Sequence, residues 1–319
     1  MTETYPNVGL ARRENRRQNV YGALDLVRDD VIKKLQSRVM IKPNFLSASN
    51  QLASSHVDAA RGVIDFLLST PNPPQEILIA EGGNEKFSGE AFKTFGYHAL
   101  LDEYDVPIEL IDLNQETGWE TITIYLADRT PYTVHMPKTV LSCPCTISLA
   151  IAKTHDTCVV TLALKNMIMG TIRKIDRVKM HGFTNHHDRK VPTESQAMHI
   201  NLIRLARYLT PDISVIDGTV GLQGNGPGGA DAIELGIAVA GVDVFAVDAV
   251  MTKAMGFAPL EIGLFYYGNE LGMGVADLEK IKVLETPIAA VRKPFKPHET
   301  TALQLQWQRE DARQLMAAD

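Results

Sequence analysis

Lys153, His155, Lys165 and Asn166 fall within one apolar stretch, AKTHDTCVVTLALKNMIMGTI, residues 152–172. Lysine is among the residues least often fully buried, because removing its charge from water is costly unless something pairs with it. Either these side chains escape to the surface along their aliphatic stems, or they face a polar cavity that uses them. In a cavity, desolvation and a neighbouring Lys153 or Lys42 would lower the Lys165 pKa and make its amine a usable base or nucleophile. Asn166 would then orient a substrate carbonyl or carboxylate. His155 and His181 are the imidazoles placed to move protons beside it.

Other chemistry-bearing residues recur where apolar runs stop. RVMI runs into Lys42-Pro43-Asn44, EILIA into Glu81-Gly82-Gly83-Asn84, TISLAIA into Lys153-Thr154-His155, and DISVI into Asp217-Gly218. In open parallel sheets, ligands bind in the crevice at the carboxyl ends of the strands. Parallel pairing would therefore gather Lys42, Asn44, Glu81, Lys153, Thr154, His155 and Asp217 on one rim. A single polar residue after a strand means only that the chain has reached solvent; four such endings of this mixture favour a shared site. Gly224 and Gly226, in VGLQGNGPGG, would let backbone approach a ligand. This loop lacks the Gly-Lys-Ser/Thr of a P-loop and a following helical pattern, so it suits a wall of the crevice better than a phosphate cradle. The basic run with Arg173, Lys174, Arg177 and Lys179 can hold a carboxylate or phosphate by charge-assisted bonds. No HExxH or comparable metal spacing accompanies its histidines.

The elements that must position these residues read as α/β. Short apolar runs alternate with amphipathic helical stretches, the pattern of a mainly parallel twisted sheet flanked by helices. Strands are expected at NVGLA, RVMIKPNF, EILIAEGG, TISLAIAKTH, DISVIDG and AIELGIAVAG. Helices are expected at VYGALDLVRDDVIKKL, HVDAARGVIDFLL, EAFKTFGYHALLDEY, ESQAMHINLIRLARYL, DVFAVDAVMTKAMG and PLEIGLFYYGNELG, with another from near Val159 through LALKNMIMG. Asp243 reads as a helix cap, and Asp248 as a surface or partner residue. ETITIYLAD and YTVHMP alternate like an antiparallel insertion near 114–138. Residues 1–287 read as a single α/β domain, open to division into two lobes. Residues 288–319 read as a C-terminal tail with a helix, wrapping the body or reaching a neighbouring subunit.

Bulk composition narrows the function classes. The 319 residues are 45% hydrophobic and 22% charged, the balance of a folded globular protein. A net charge of −6 argues against a general nucleic-acid or anionic-membrane binder. No apolar run approaches the ~20 residues of a membrane span, and the N-terminal MTETYPNVGLARRENRRQ lacks the apolar core of a secretory signal, so a cytoplasmic location is expected. The three cysteines, Cys143, Cys145 and Cys158, exclude a disulfide framework and read as buried thiols.

Taken together, IKPNF, AKTHDTCVVTLALKNMIMGTI, KMHG, VIDGTVGLQGNGPGG and AGVDVFAVDAV resemble the domain-of-unknown-function 362 family over roughly residues 38 to 275. The resemblance picks out Lys42, Asn44, Lys153, Thr154, His155, Thr161, Lys165, Asn166, Lys179, His181, Asp217, Gly224, Gly226, Pro227, Asp243 and Asp248. Many members carry ferredoxin-type cysteine motifs; this chain departs from them, which counts against an intrinsic iron–sulfur cluster. The lysine and histidine content is also loosely similar to that of lactate racemase, which uses a nickel-bearing nucleotide.

The leading expectation is a cytoplasmic enzyme acting on a small anionic substrate. Lys42, Asn44, Lys174 and Lys179 would position the anion, His155 or Lys165 would transfer protons, and Asn166 and Asp217 would orient them. Proton abstraction next to a carboxylate, or an isomerisation or racemisation, suits this set. The alternatives are a non-catalytic cofactor- or metal-binding protein and a subunit of an iron–sulfur redox complex. A homo-oligomer or a redox partner protein is compatible with each, and the sequence names no cofactor.

Overall fold

The structure is a computed structural model that describes residues 5–84 and 89–318; the first four residues of the N-terminal stretch discussed above lie outside it. Its centre is β7 (Thr146–His155), buried along its whole length. A strand covered on both faces reads as a continuous apolar run rather than an alternating one, which is why TISLAIA carries so few polar residues. Around it stand β1 (Asn7–Ala11), β2 (Arg38–Lys42), β3 (Glu76–Glu81), β4 (Ile108–Asp112), β9 (Ile213–Leu222), β10 (Ala232–Gly241) and β11 (Lys282–Glu285). With β8 (Val159–Thr161) they form a nine-stranded sheet in the order β11-β1-β10-β9-β7-β2-β3-β4, with β8 paired to β7. From β4 through β3, β2 and β7 to β9 every pairing is parallel. Only β10 and β8 run antiparallel to their partners in this sheet. The expected insertion is a separate hairpin of β5 (Trp119–Tyr125) and β6 (Pro131–Pro137).

The principal helices are α1 (Arg16–Leu26), α2 (Val57–Leu68), α3 (Ala163–Met169), α4 (Arg177–Met180), α5 (Thr193–Leu209), α6 (Val244–Ala254) and α7 (Gly263–Glu270). Val57, Ala60, Ile64 and Leu67 repeat at helical spacing, so α2 lays one apolar face on the sheet. It shares a core with α1 and with Ile147, Leu149 and Val215 of the strands. The opposite face, with Met40, Ala150, Ala152 and Ile216, packs against α3, α5, α6 and α7. Successive strand residues serve opposite cores, as the two-residue period of a strand requires.

Four departures from the sequence reading have local causes. Val159–Thr161 is a strand, not the start of a helix: this β-branched run folds back on β7, pairing Lys153 with Thr161 and His155 with Val159. The helix starts at Ala163 because Asp248, which is buried inside α6 rather than at the surface, accepts from the Ala163 and Leu164 amides at 2.8 and 3.1 Å. EAFKTFGYHALLDEY is not one helix; Gly96 takes a φ of +77° and separates Glu90–Thr94 from Leu100–Glu103. DISVIDG does not stop at its glycine, since β10 pairs with β9 as far as Leu222. Asp243 is the cap of α6, accepting from the Ala246 amide. The C-terminal segment wraps the body, burying Phe295, Gln304 and Trp307.

Candidate functional site

The ends of β2, β3 and β7, together with α3, α4 and the segment between α4 and α5, enclose a cavity of about 580 Å³. Asn44, Glu81, Lys153, His155, Lys165, Asn166, Lys174, Lys179 and His181 all line it. Parallel pairing and the return of β8 achieve this. Together they bring the C-terminal end of β7 beside α3, the helix that carries Lys165 and Asn166.

Lys42 lies beneath the cavity floor, fully buried. Its amine meets the Glu81 carboxylate and donates to Asn166 Oδ1 and the Pro43 carbonyl, both at 2.8 Å. Burial lowers the Lys42 pKa and raises that of Glu81, each opposed by the other's charge. Asn166 has no amide valence left over: its oxygen accepts from Lys42 and Asn44, and its nitrogen donates to the Lys42 carbonyl and Ser148 Oγ. It therefore orients Lys42 and Asn44. Asn44 passes this order to Lys153, accepting from its amine at 2.5 Å, while the Ala53 carbonyl takes a second bond at 3.1 Å. Burial, with the charges of Lys165 and Lys42 nearby, brings the Lys153 pKa down to about 7.

Lys165 is held differently. Its Nζ lies 2.7 Å from His155 Nε2, and burial lowers its pKa. His155 Nδ1 lies 2.9 Å from Asp156 Oδ1 and 3.0 Å from the Thr157 amide nitrogen. Burial, with Lys165 close by, brings the His155 pKa to about 3, so the ring is neutral. With its proton on Nδ1 the ring donates to Asp156 and accepts from Lys165. With its proton on Nε2 it accepts from Thr157 and donates to the lone pair of a neutral Lys165. Both tautomers join the amine to the imidazole, and moving between them moves a proton along the chain.

Behind this pair is a second imidazole–carboxylate contact. His181 Nδ1 meets Glu194 Oε1 at 2.5 Å, and its ring lies nearly parallel to that of His155, with centroids 6.3 Å apart. Burial holds His181 near a pKa of 4. Arg189 ties the two acids together, donating to Glu194 at 2.6 Å and Asp156 at 3.0 Å. Burial works to raise both carboxyl pKa values. The His155 and Arg189 contacts hold Asp156 low, and bonds from His181, Thr157 and Arg189 hold Glu194 low. Besides Lys165, five basic side chains, Lys153, Lys174, Arg177, Lys179 and Arg189, line the cavity against two carboxylates, Glu81 and Asp156, both engaged by basic partners, so the described lining favours an anion.

Asp217, Thr154, Gly224 and Gly226 do not line this cavity. Asp217 pairs with the level of Ile151, but it stands two residues after Val215, on the α1–α2 face of the sheet. There it binds Arg16 Nε at 2.6 Å and lines a smaller cavity of about 230 Å³ with His56. Strand endings fix a residue's level along the sheet, but its face follows from alternation. Thr154 donates to the Gly224 carbonyl at 2.9 Å. Gly226 is required by packing, because a Cβ there would come within 2.2 Å of the Thr154 carbonyl oxygen. This loop reaches the cavity through Pro227. Asp156, Arg189 and Glu194 were missed by the sequence reading, whereas Arg177, named there as part of the basic run, does line the cavity. Asp156 directly follows the Lys-Thr-His run, where adjacency to His155 was a usable signal.

Among the described residues no group of three or more His, Cys, Asp or Glu side chains is arranged to hold a metal ion. Cys145 and Cys158 are buried free thiols, and Cys143 is a partly buried one. No described helix is long and apolar enough to cross a membrane.

A family model described as "Domain of unknown function (DUF362)" matches residues 39–253, more than half of the chain. The chain belongs to the DUF362 family. This DUF362 chain is also similar to a thylakoid-associated protein of Synechocystis sp., with 26% identity over 262 residues, 78% of this chain and 73% of that protein. Among solved structures, the lactate racemase apoprotein from Thermoanaerobacterium thermosaccharolyticum is similar with a TM-score of 0.45 and 11% identity. The match covers 74% of the DUF362 chain but 54% of that protein, about half its length, and transfers no residue roles.

Proposed function

We propose that this DUF362 protein is a cytoplasmic enzyme that moves a proton on a small anionic substrate, a carboxylate or phosphate, held in the cavity. The observation that carries this reading is the 2.7 Å contact between the Lys165 amine and His155. A base must lie within hydrogen-bond reach of its proton and titrate near working pH. Burial brings the lysine toward that range, and Asp156 fixes the imidazole. Lys153, Lys174 and Lys179 supply the charge that holds the anion. The chemistry this favours is abstraction of the proton next to a carboxylate, as in an isomerisation or racemisation.

The test is solvent deuterium exchange at C2 of 2-hydroxy acids and at C3 of 2-oxo acids, followed by NMR across a set of both, with inorganic phosphate as a binding control. Wild-type protein is expected to gain thermal stability with at least one carboxylate and to exchange its proton. Lys165→Gln and His155→Ala are expected to lower exchange by about 100-fold or more. Stabilisation by none of these anions, or undiminished exchange in folded variants, would overturn the reading.

A further inference from the structure

The three buried lysines of the site differ in the number of oxygens that hold them. Lys42 has the Glu81 carboxylate, Asn166 Oδ1 and the Pro43 carbonyl. Lys153 has Asn44 Oδ1 and the Ala53 carbonyl. Among the described residues Lys165 has one hydrogen-bond partner, and it is a nitrogen, His155 Nε2. An ammonium carries three N–H donors, and leaving buried donors unmade is expensive. The cheaper state of Lys165 is the neutral amine, which is a nucleophile rather than an anchor for an anion. It faces a cavity whose lining also includes Phe45, Leu46, Met169, Ile175 and Val178, apolar enough for a short carbon chain.

We propose that Lys165 captures the carbonyl carbon of a small 2-oxo acid as an imine, while the cationic lining holds the acid's carboxylate. This rests on the reading that the cavity binds a small carboxylate, and it names the substrate class. The lone pair of Lys165 Nζ forms the N–C bond as the C=O π pair moves to oxygen. His155 takes a proton from the nitrogen and returns one to the oxygen, leaving a carbinolamine. The nitrogen lone pair then expels the hydroxyl, which leaves as water with a proton relayed by His155 from solvent. Amine, carbonyl and one proton become a protonated imine and water, with no oxidant or reductant. The protonated imine then draws electrons from the neighbouring carbon and acidifies its C–H, where proton transfer follows.

The test uses the full chain, pyruvate as the probe and sodium borohydride as the trapping reductant, read by intact mass and peptide mapping. One reduced pyruvyl group on Lys165 is expected, with trapping lost in Lys165→Gln and slowed about 100-fold in His155→Ala. Lactate, which has the carboxylate without the carbonyl, is expected to compete without forming an adduct. Trapping on Lys153 or on scattered surface lysines, or no adduct while lactate and pyruvate still stabilise the protein, would overturn the imine and leave the anion site standing. Failure of both acids to stabilise the protein would overturn the 2-oxo acid as substrate class, and failure of every acid of the wider set and of phosphate would overturn the proposed function as well. Peptide mapping of the wild-type chain decides the attachment point even if a variant does not fold.

Discussion

Replacing Lys42 by methionine separates holding the site together from performing its chemistry. Lys42 and Glu81 are 0% and 2% exposed, and a Cβ on Gly170 would come within 2.2 Å of Lys42 Nζ, so this pocket has no slack. Removing one partner of a buried ion pair costs about 3–5 kcal/mol, because the other charge stays buried without compensation. After Lys42→Met, Glu81 keeps the Phe45 amide at 3.2 Å, while Asn166 Oδ1 and the Pro43 carbonyl each lose a donor. We expect a loss of about 4 kcal/mol at neutral pH, measured by urea unfolding with an unchanged m value. Because burial raises the Glu81 pKa, its folded form takes up a proton before its unfolded form as pH falls. The penalty in Lys42→Met should therefore shrink on acidification. The double variant Lys42→Met/Glu81→Met should recover most of the loss, since apolar replacement of a whole buried pair is often neutral or stabilising. A single-variant cost below ~1 kcal/mol, the value of an exposed pair, or a double variant as damaged as the sum of its singles, would refute this account.

Two further predictions concern pH and helix position. His155, His181 and His199 start from an ordinary 6.5 and are brought by burial to about 3, 4 and 3 in the folded chain. The unfolded chain therefore binds more protons below pH 6.5. Stability should fall as pH drops toward 4, by up to about 1.4 kcal/mol per pH unit for each histidine. His199, whose ring nitrogens have no hydrogen-bond partner among the described residues, isolates one share. His199→Phe should make the stability-versus-pH curve visibly shallower between pH 6 and 4, and an unchanged slope in urea titrations would exclude this cause. Asp248→Ala removes the acceptor for the first two amides of α3, one residue before Lys165. We expect it to cost about 1–2 kcal/mol and to lower deuterium exchange, whereas Asp248→Asn, which keeps one of the two acceptor oxygens and sets an NH2 against the other amide, should fall between wild type and Asp248→Ala in both. Equal loss in the two variants would refute the capping role.

The parallel centre of the sheet was legible because β7 and its neighbours are short apolar runs with polar endings, and that pattern also found the cavity. Lys153, His155 and Lys165 are separated by little sequence, so the return of β8 was enough to bring them together. What sequence did not disclose depended on facing and on distant partners. Asp217 has the right level and the wrong side of the sheet. Asp248 looked like a surface residue because the chain it caps lies 85 residues earlier. Gln304 shows the same limit: its side chain donates to the His155 carbonyl at 2.9 Å and accepts from the Val159 amide at 2.6 Å. No periodicity in the C-terminal segment announces that contact.

The acceptor set around each lysine accounts for how one cavity can contain both anchors and a nucleophile. All three lysines pay desolvation, but only Lys42 is returned a full negative charge. Lys153 receives two neutral oxygens, enough to orient it while its pKa settles near 7. Lys165 receives an imidazole, which stabilises its charge least and offers a route for its proton. Chemical role here follows from the number and type of acceptors at each amine, more than from lysine itself. Adding a carboxylate to the cavity lining by Thr161→Asp, on the strand paired with Lys153, should therefore raise the pKa values of the cavity lysines and suppress borohydride trapping.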